Sequence, residues 1–254
     1  YRNIEKIRKE FGTIILDEMH HVSSPTFSKL LDTNHCRYKI GLSGTIERKD
    51  GKHVVFRDYF GSKIFKPPKE NYMTPSVHLV HSEIRFMDGA KIPWANRVTK
   101  LSSDEEYRHT VAMLAAAYAA KGHKVLVVSD RVAFLKSCAE LTGDRAVCVT
   151  GEVAHADREA LINRVLYGDA NVLYGTQAIF SEGISVDTLS CLILGTPVNN
   201  EPLLTQLVGR VIRKKEGKID PVIIDIHLRG KTAKKQASNR VGFYMKQGWN
   251  MKYI

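Results

Sequence analysis

Short apolar runs without polar alternation recur along this chain, at Thr13–Leu16, Tyr38–Leu42, Val77–His81, Lys124–Val128, Ala146–Val149, Val172–Tyr174, Cys191–Leu194 and Val222–Ile226. A strand that is apolar on successive residues must be covered on both faces, the condition met in a parallel sheet flanked by helices. Helical patterns lie between several of these runs, at Asp104–Ala120, Val132–Leu141, Ala156–Leu166, Leu203–Ile212 and Ala233–Gln247. The alternation predicts an α/β fold built on parallel sheets. With 254 residues, 43% of them hydrophobic, the chain can bury one large core or two small ones.

The segment Lys66-Pro-Pro-Lys-Glu-Asn-Tyr-Met-Thr-Pro75 is rich in proline and mixed charge and reads as a linker between lobes. Too few strands precede it for a covered sheet, so the first lobe is expected to be half a domain. Val77 to Ile226 reads as a nearly complete unit. The expected division is therefore 1–70, 71–230 and a basic–aromatic helix or tail at 231–254, with 86–103 as surface loop. The first residue is Tyr1, and the expectation is a fragment of a longer protein.

Thirty-eight Lys+Arg against 27 Asp+Glu give a net charge of +11, which favours polyanionic partners. Cys36, Cys138, Cys148 and Cys191 are scattered, never in CxxC pairs, so a zinc site is not expected. Reduced thiols suit a cytoplasmic protein. The apolar runs are too short to span a bilayer, and the charged start Tyr1-Arg-Asn-Ile-Glu-Lys is unlike a signal peptide. No membrane association is expected.

Four segments carry chemistry. Ile14-Ile-Leu-Asp17-Glu18-Met19-His20 is a strand ending in two carboxylates. One such carboxylate can hold magnesium through water while its neighbour deprotonates an attacking water. Tyr38-Lys-Ile-Gly-Leu-Ser43-Gly44-Thr45 ends in small hydroxyl residues able to pass hydrogen bonds between sites. Tyr174-Gly175-Thr176 opens into a loop containing Gly183 and Ser185, which can present backbone N–H groups to phosphates. Gln206, Arg210 and Arg213 are spaced four and three apart and are expected on one helix face, with Gly209 permitting close packing. Guanidinium groups placed so can clamp phosphate oxygens. Taken singly, each segment also reads as a plain strand end, turn or solvated basic helix.

Their order is the stronger signal. DExH, then SGT, then the strand carrying Val127-Val-Ser129-Asp130-Arg131, then the Gly175-Thr176 segment, then Gln206-x-x-Gly-Arg210-x-x-Arg213, resembles motifs II to VI of superfamily 2 helicases. The resemblance runs from about residue 12 to 226. It is nearest the branch of XPB-type helicases, phage UvsW-type branch-migration helicases and type I restriction motor subunits, and the ending Arg240–Trp249 is similar to the tail of UvsW-like proteins.

This resemblance implies RecA-like domains, the first partial and the second complete, and an ATP- and Mg2+-dependent motor on nucleic acid, DNA foremost. Roles in recombination, repair or replication follow, as does a cytoplasmic location, the host's if phage-encoded; a monomer is favoured. Asp17 would hold magnesium, Glu18 would be the catalytic base, and His20, Ser43 and Thr45 would couple the nucleotide to motif III. Arg210 and Arg213 would be arginine fingers, with Gln206 beside them, and Gly183 and Ser185 would lie against the nucleotide. Ser129, Arg131, Thr150, Gly151, Arg158 and Thr176 would meet the nucleic-acid backbone. The sequence departs from the family pattern at Ser185, where an aspartate is frequent, and at Leu207, where an arginine is.

The sixteen residues before Asp17 contain no Gly-x4-Gly-Lys-Ser/Thr phosphate cradle. Gly230-Lys231-Thr232 is a decoy, because Asp225 stands where the first glycine belongs. The fragment alone is expected to hydrolyse ATP negligibly. A non-catalytic nucleic-acid-binding relative and a restriction-enzyme motor subunit are the alternatives.

Overall fold

The computed structural model describes residues 6, 10–17, 19, 25–33, 36–43, 54–66, 68–89, 91–181 and 186–254. The chain divides into two units, Tyr1–Pro67 and Pro68–Ile254, inside the proline-rich segment.

In the first unit β1 (Thr13–Leu16) pairs in parallel with β2 (Tyr38–Gly41), Ile15 opposite Ile40. Helices α1 (Pro25–Asp32) and α2 (Val54–Phe60) accompany them. Met19, Leu31 and Phe56 form a small buried core with Ile14, Leu16 and Phe60 against it. The opposite sheet face, with Ile15, Ile40 and Leu42, stays open to solvent.

The second unit is a seven-stranded, wholly parallel sheet of order β5-β6-β4-β7-β8-β3-β9. Its strands are β3 (Ser76–Arg85), β4 (Lys124–Ser129), β5 (Ala146–Val149), β6 (Val172–Thr176), β7 (Leu189–Leu194), β8 (Val222–Arg229) and β9 (Asn250–Tyr253). The helices are α3 (Trp94–Ser102), α4 (Glu105–Ala120), α5 (Val132–Thr142), α6 (His155–Leu166), α7 (Gln177–Ser181), α8 (Glu201–Val211) and α9 (Lys231–Lys246). Alternate residues of the central strands feed two cores. Leu126, Leu173, Leu192 and Ile223 pack with Val165 of α6, Leu207 of α8 and Tyr244 of α9. Val127, Tyr174, Ile193 and Ile224 pack with Tyr107 and Val111 of α4 and Phe134 of α5. Burial on both faces is why these strands lack alternation.

Two expectations need correction. Residues 86–103 are not a surface loop: α3 buries Val98 and Leu101 after Pro93, with Phe86 also buried. Helix α9, at 231–246, buries Arg240, Phe243 and Tyr244, and β9 adds an edge strand beside β3. The second correction concerns Arg213. Helix α8 begins at Glu201, capped by Asn200 Oδ1 accepting the Leu203 N–H at 3.3 Å, and ends at Val211. Arg213 therefore lies beyond the helix, in an antiparallel bridge with Tyr72, and does not share a helical face with Gln206 and Arg210.

Candidate functional site

Parallel pairing brings the first two motifs together. Leu16 stands opposite Gly41, the Leu42 N–H donates to the Leu16 carbonyl at 2.8 Å, and the Met19 N–H donates to the Leu42 carbonyl at 2.8 Å. Asp17, exposed, and Ser43, half-buried, thus follow the ends of two adjacent parallel strands, one residue beyond Leu16 and two beyond Gly41. A Cβ at Gly41 would collide with Met19 Sδ, so a larger residue there would force the Met19 side chain to move. Glu18, His20 and Thr45 lie outside the described residues.

In the second unit the register sets Ser129 opposite Thr176, and Val149 opposite Gly175, so Ser129, Thr176 and Thr150 form a row across three adjacent strand ends. Ligand sites of open parallel sheets lie at this carboxyl edge. The hydroxyls of Ser129 and Thr150 are nonetheless turned inward. Ser129 Oγ hydrogen-bonds Thr196 Oγ1 at 3.1 Å and accepts the Arg131 N–H at 3.1 Å. Thr150 Oγ1 accepts the Glu152 N–H at 3.3 Å. Both side chains are sealed from solvent, whereas Gly151 is exposed and Thr176 half-buried. Arg131 bonds Asp130 and the Ala95 carbonyl, each at 3.1 Å, and Arg158 donates to the Val153 carbonyl at 3.3 Å. Gly175 is needed for packing, because a Cβ there would collide with the Phe180 ring. Gly183 and Ser185 lie outside the described residues.

The arginines of the last motif are held by the segment before it. Arg210 Nη2 donates to the Phe180 carbonyl of α7, and Arg213 Nη1 sits 3.6 Å from Asp187 Oδ1. Gln206 is half-buried on α8. Among the described residues a Cβ at Gly209 would meet nothing within 4 Å, so this glycine does not serve close packing there. The exit of α8 is stitched to the start of the unit: the Met73 N–H donates to the Ile212 carbonyl at 2.8 Å and the Lys214 N–H to the Asn71 carbonyl at 3.0 Å. Lys218 Nζ donates to the Arg213 carbonyl at 2.8 Å; burial, opposed by Asp187 and assisted by Arg213 and Lys215, brings its pKa down to about 8.

Sequence reasoning missed a buried ionic cluster. Asp225, in the middle of β8, is fully buried and bonded by Arg240 and by the Tyr244 hydroxyl at 3.1 Å. Burial alone would raise its carboxyl, but the Arg240 guanidinium, helped by His227, holds it well below the usual carboxylate range. Arg240 Nη1 also donates to the Val198 carbonyl at 3.2 Å, and Asn239 Nδ2 to Asn199 Oδ1 at 3.1 Å, so α9 fixes the loop between β7 and α8. A charged residue inside a doubly buried strand was the available signal, since such a charge needs a partner.

The structure also shows why Gly230-Lys231-Thr232 is no phosphate cradle. The N–H groups of Lys231 and Thr232 donate to the Asp88 carboxylate at 3.0 and 2.9 Å, so a protein anion already occupies that helix start. Among the described residues no cluster of three His, Cys, Asp or Glu side chains could hold a metal, and no helix is long and apolar enough to cross a membrane. No disulfide joins the cysteines, and burial pushes Cys138 up to about 12 and Cys148 to about 11.

Residues 107–215 match the helicase conserved C-terminal domain, and residues 1–48 match the type III restriction enzyme res subunit. The "probable helicase D10" of Escherichia phage T5 is 42% identical over 98% of this chain and 56% of its own length. The ATP-dependent DNA helicase uvsW of Enterobacteria phage T4 is 26% identical over 85% of this chain and 46% of its own. This chain thus spans about half the length of these curated relatives. A fragment assigned to the HsdR subunit of a type I restriction enzyme from Vibrio vulnificus superposes with a TM-score of 0.73 at 20% identity, over 100% of this chain and 50% of that one. The sheet architecture is that of RecA-like helicase domains.

Proposed function

We propose, on the premise that this chain belongs among the superfamily 2 helicase relatives, that it is the DExH-to-motif-VI part of an ATP-driven motor that moves on double-stranded or branched DNA. One observation supports this reading above others: β1 and β2 pair in parallel, so the segments carrying Asp17 and Ser43 leave the sheet at the same edge. Magnesium, when bound, neutralises phosphate charge, and the exposed Asp17 carboxylate is suited to hold it through water. Glu18 activates the attacking water. His20, Ser43 and Thr45 transmit the change, while Arg210 and Arg213 stabilise charge on the γ-phosphate with Gln206 nearby. Gly183 and Ser185 border the nucleotide. At the carboxyl edge Thr176, Gly151, Arg131 and Arg158 follow the DNA backbone, where contacts position without reading sequence, while the buried hydroxyls of Ser129 and Thr150 brace the strand ends behind them. DNA is favoured because the T4 relative is a DNA helicase, and work on branched DNA fits recombination, repair or replication.

The test is ATP turnover by the full-length protein that carries this chain, with and without forked DNA, duplex DNA and RNA. Forked or duplex DNA should stimulate most. Glu18→Gln should keep ATP binding and abolish stimulated turnover; substantial turnover by that variant removes Glu18 as the base. Loss of DNA affinity with added salt should be steep, as counterion release demands.

A further inference from the structure

At the carboxyl edge of the second sheet lies a cleft of about 230 Å³ whose lining includes Trp94, Val98, Asp130, Gln177, Thr196 and Asn200. None of the helicase motifs covers Trp94. The cleft adjoins the row at the strand ends, because Thr196 hydrogen-bonds Ser129. Its volume is below the roughly 300–1,000 Å³ usual for a drug-sized ligand, leaving room for one flat ring system.

The lining chemistry selects among the parts of a nucleotide. An indole, carboxamides, a hydroxyl and aliphatic carbons line the space, and its one carboxylate, Asp130, is already paired with Arg131 at 3.1 Å. A phosphate would meet that carboxylate and no cation of the lining. A base would find an aromatic surface and amide partners for its edge. Asn200 spends its Oδ1 on capping α8, which leaves its amide N–H groups to donate.

Trp94 is also held in place. Its ring packs on Phe86 with centroids 5.2 Å apart, and the Arg97 guanidinium lies 5.5 Å from its centroid while bonding Thr232 Oγ1 at 3.3 Å. Arg131 anchors the start of α3 through the Ala95 carbonyl. The indole nevertheless remains 37% exposed, although an aromatic ring of this size gains from burial.

We infer that this cleft receives a single unstacked nucleobase, with Trp94 as its aromatic partner and Gln177 and Asn200 at its edge. The inference rests on the nucleic-acid reading above and adds a base contact to a surface otherwise given to the backbone.

The experiment compares a short oligothymidylate with an abasic strand of equal length at low salt, by fluorescence anisotropy of the labelled strand. Trp94→Ala should weaken oligothymidylate binding about 5- to 150-fold, the loss expected for one base–aromatic contact, while abasic binding stays at the wild-type level. Trp94→Phe should restore most of the affinity. The chain has two tryptophans, so a Trp249→Phe variant leaves Trp94 to report alone, and its emission should be quenched by oligothymidylate and not by the abasic strand. Equal binding of oligothymidylate by wild type and Trp94→Ala overturns the base cleft and leaves the backbone-binding reading standing. So does a loss shared equally by the abasic strand. If the wild-type chain binds neither strand, the nucleic-acid reading itself fails, and the cleft with it.

Discussion

Arg240 Nε lies 3.0 and 2.9 Å from the two carboxylate oxygens of Asp225, and its Nη2 lies 2.7 Å from Oδ1, with both side chains buried beneath α9. A buried pair of this kind gives little net stability over an apolar pair, but breaking it strands a charge.

Asp225→Leu and Arg240→Leu should therefore each lower unfolding free energy by about 3–5 kcal/mol, read as a fall in the urea midpoint. The double variant Asp225→Leu/Arg240→Leu should be more stable than either single variant. Additive losses in the double variant would show that the two side chains act independently.

His78 on β3 makes a hydrogen bond with the buried Tyr118 hydroxyl, and His123 bonds Ser190 Oγ at 3.1 Å. Burial, with Lys252, Lys121 and His123 adding positive charge, lowers His78 from 6.5 to about 4. A histidine depressed on folding binds its proton more readily in the unfolded chain, so stability falls as pH drops. The loss should begin near the unfolded value of 6.5 and be complete near 4. Thermal midpoints measured across that window should decline, and His78→Gln should flatten the slope.

Gly230 turns the chain into α9 at φ +118°, and a Cβ there would stand 2.6 Å from the Phe86 carbonyl. Gly230→Ala should cost more than about 1 kcal/mol, measured by chemical denaturation. Gly209→Ala, on a helix where a Cβ would meet nothing within 4 Å among the described residues, should keep or raise stability, by up to about 1 kcal/mol.

The Arg213–Asp187 pair is partly exposed, and such pairs contribute about 0–1 kcal/mol. Arg213→Ala should leave the thermal midpoint nearly unchanged. If Arg213 is a finger, DNA-stimulated turnover should drop by about 10³–10⁵. A proportionate loss of fold and turnover would assign it to structure instead.

The strands were legible because Val125 to Val128, Leu192 to Leu194 and Val222 to Ile224 are apolar on both faces, a pattern few other elements tolerate. Helix α3 was not, because Val98 and Leu101 are its main buried apolar residues amid Asn96, Arg97, Thr99 and Lys100. Strand β9 escaped because Asn250, Lys252 and Tyr253 are exposed at a sheet edge, where apolar residues are not demanded. Motif spacing placed Ser129, Thr150 and Thr176 on neighbouring strand ends, but the inward turn of Ser129 depends on Thr196, a partner 67 residues away that only the fold supplies. Arg213 was misplaced for a similar reason: helix periodicity continues past Val211, while pairing with Tyr72 ends the helix.

The position of β3 between β8 and β9 has a consequence for biosynthesis. It is the first strand of its unit to leave the ribosome, and both its neighbours are the last. While the intervening chain is translated, Val77 and Leu79 have no sheet partner, and closure awaits β8 and β9. Such non-local closure is slow and leaves strand edges open to misassociation. Ribosome stalling before Asn250 should therefore leave nascent chains dependent on chaperones.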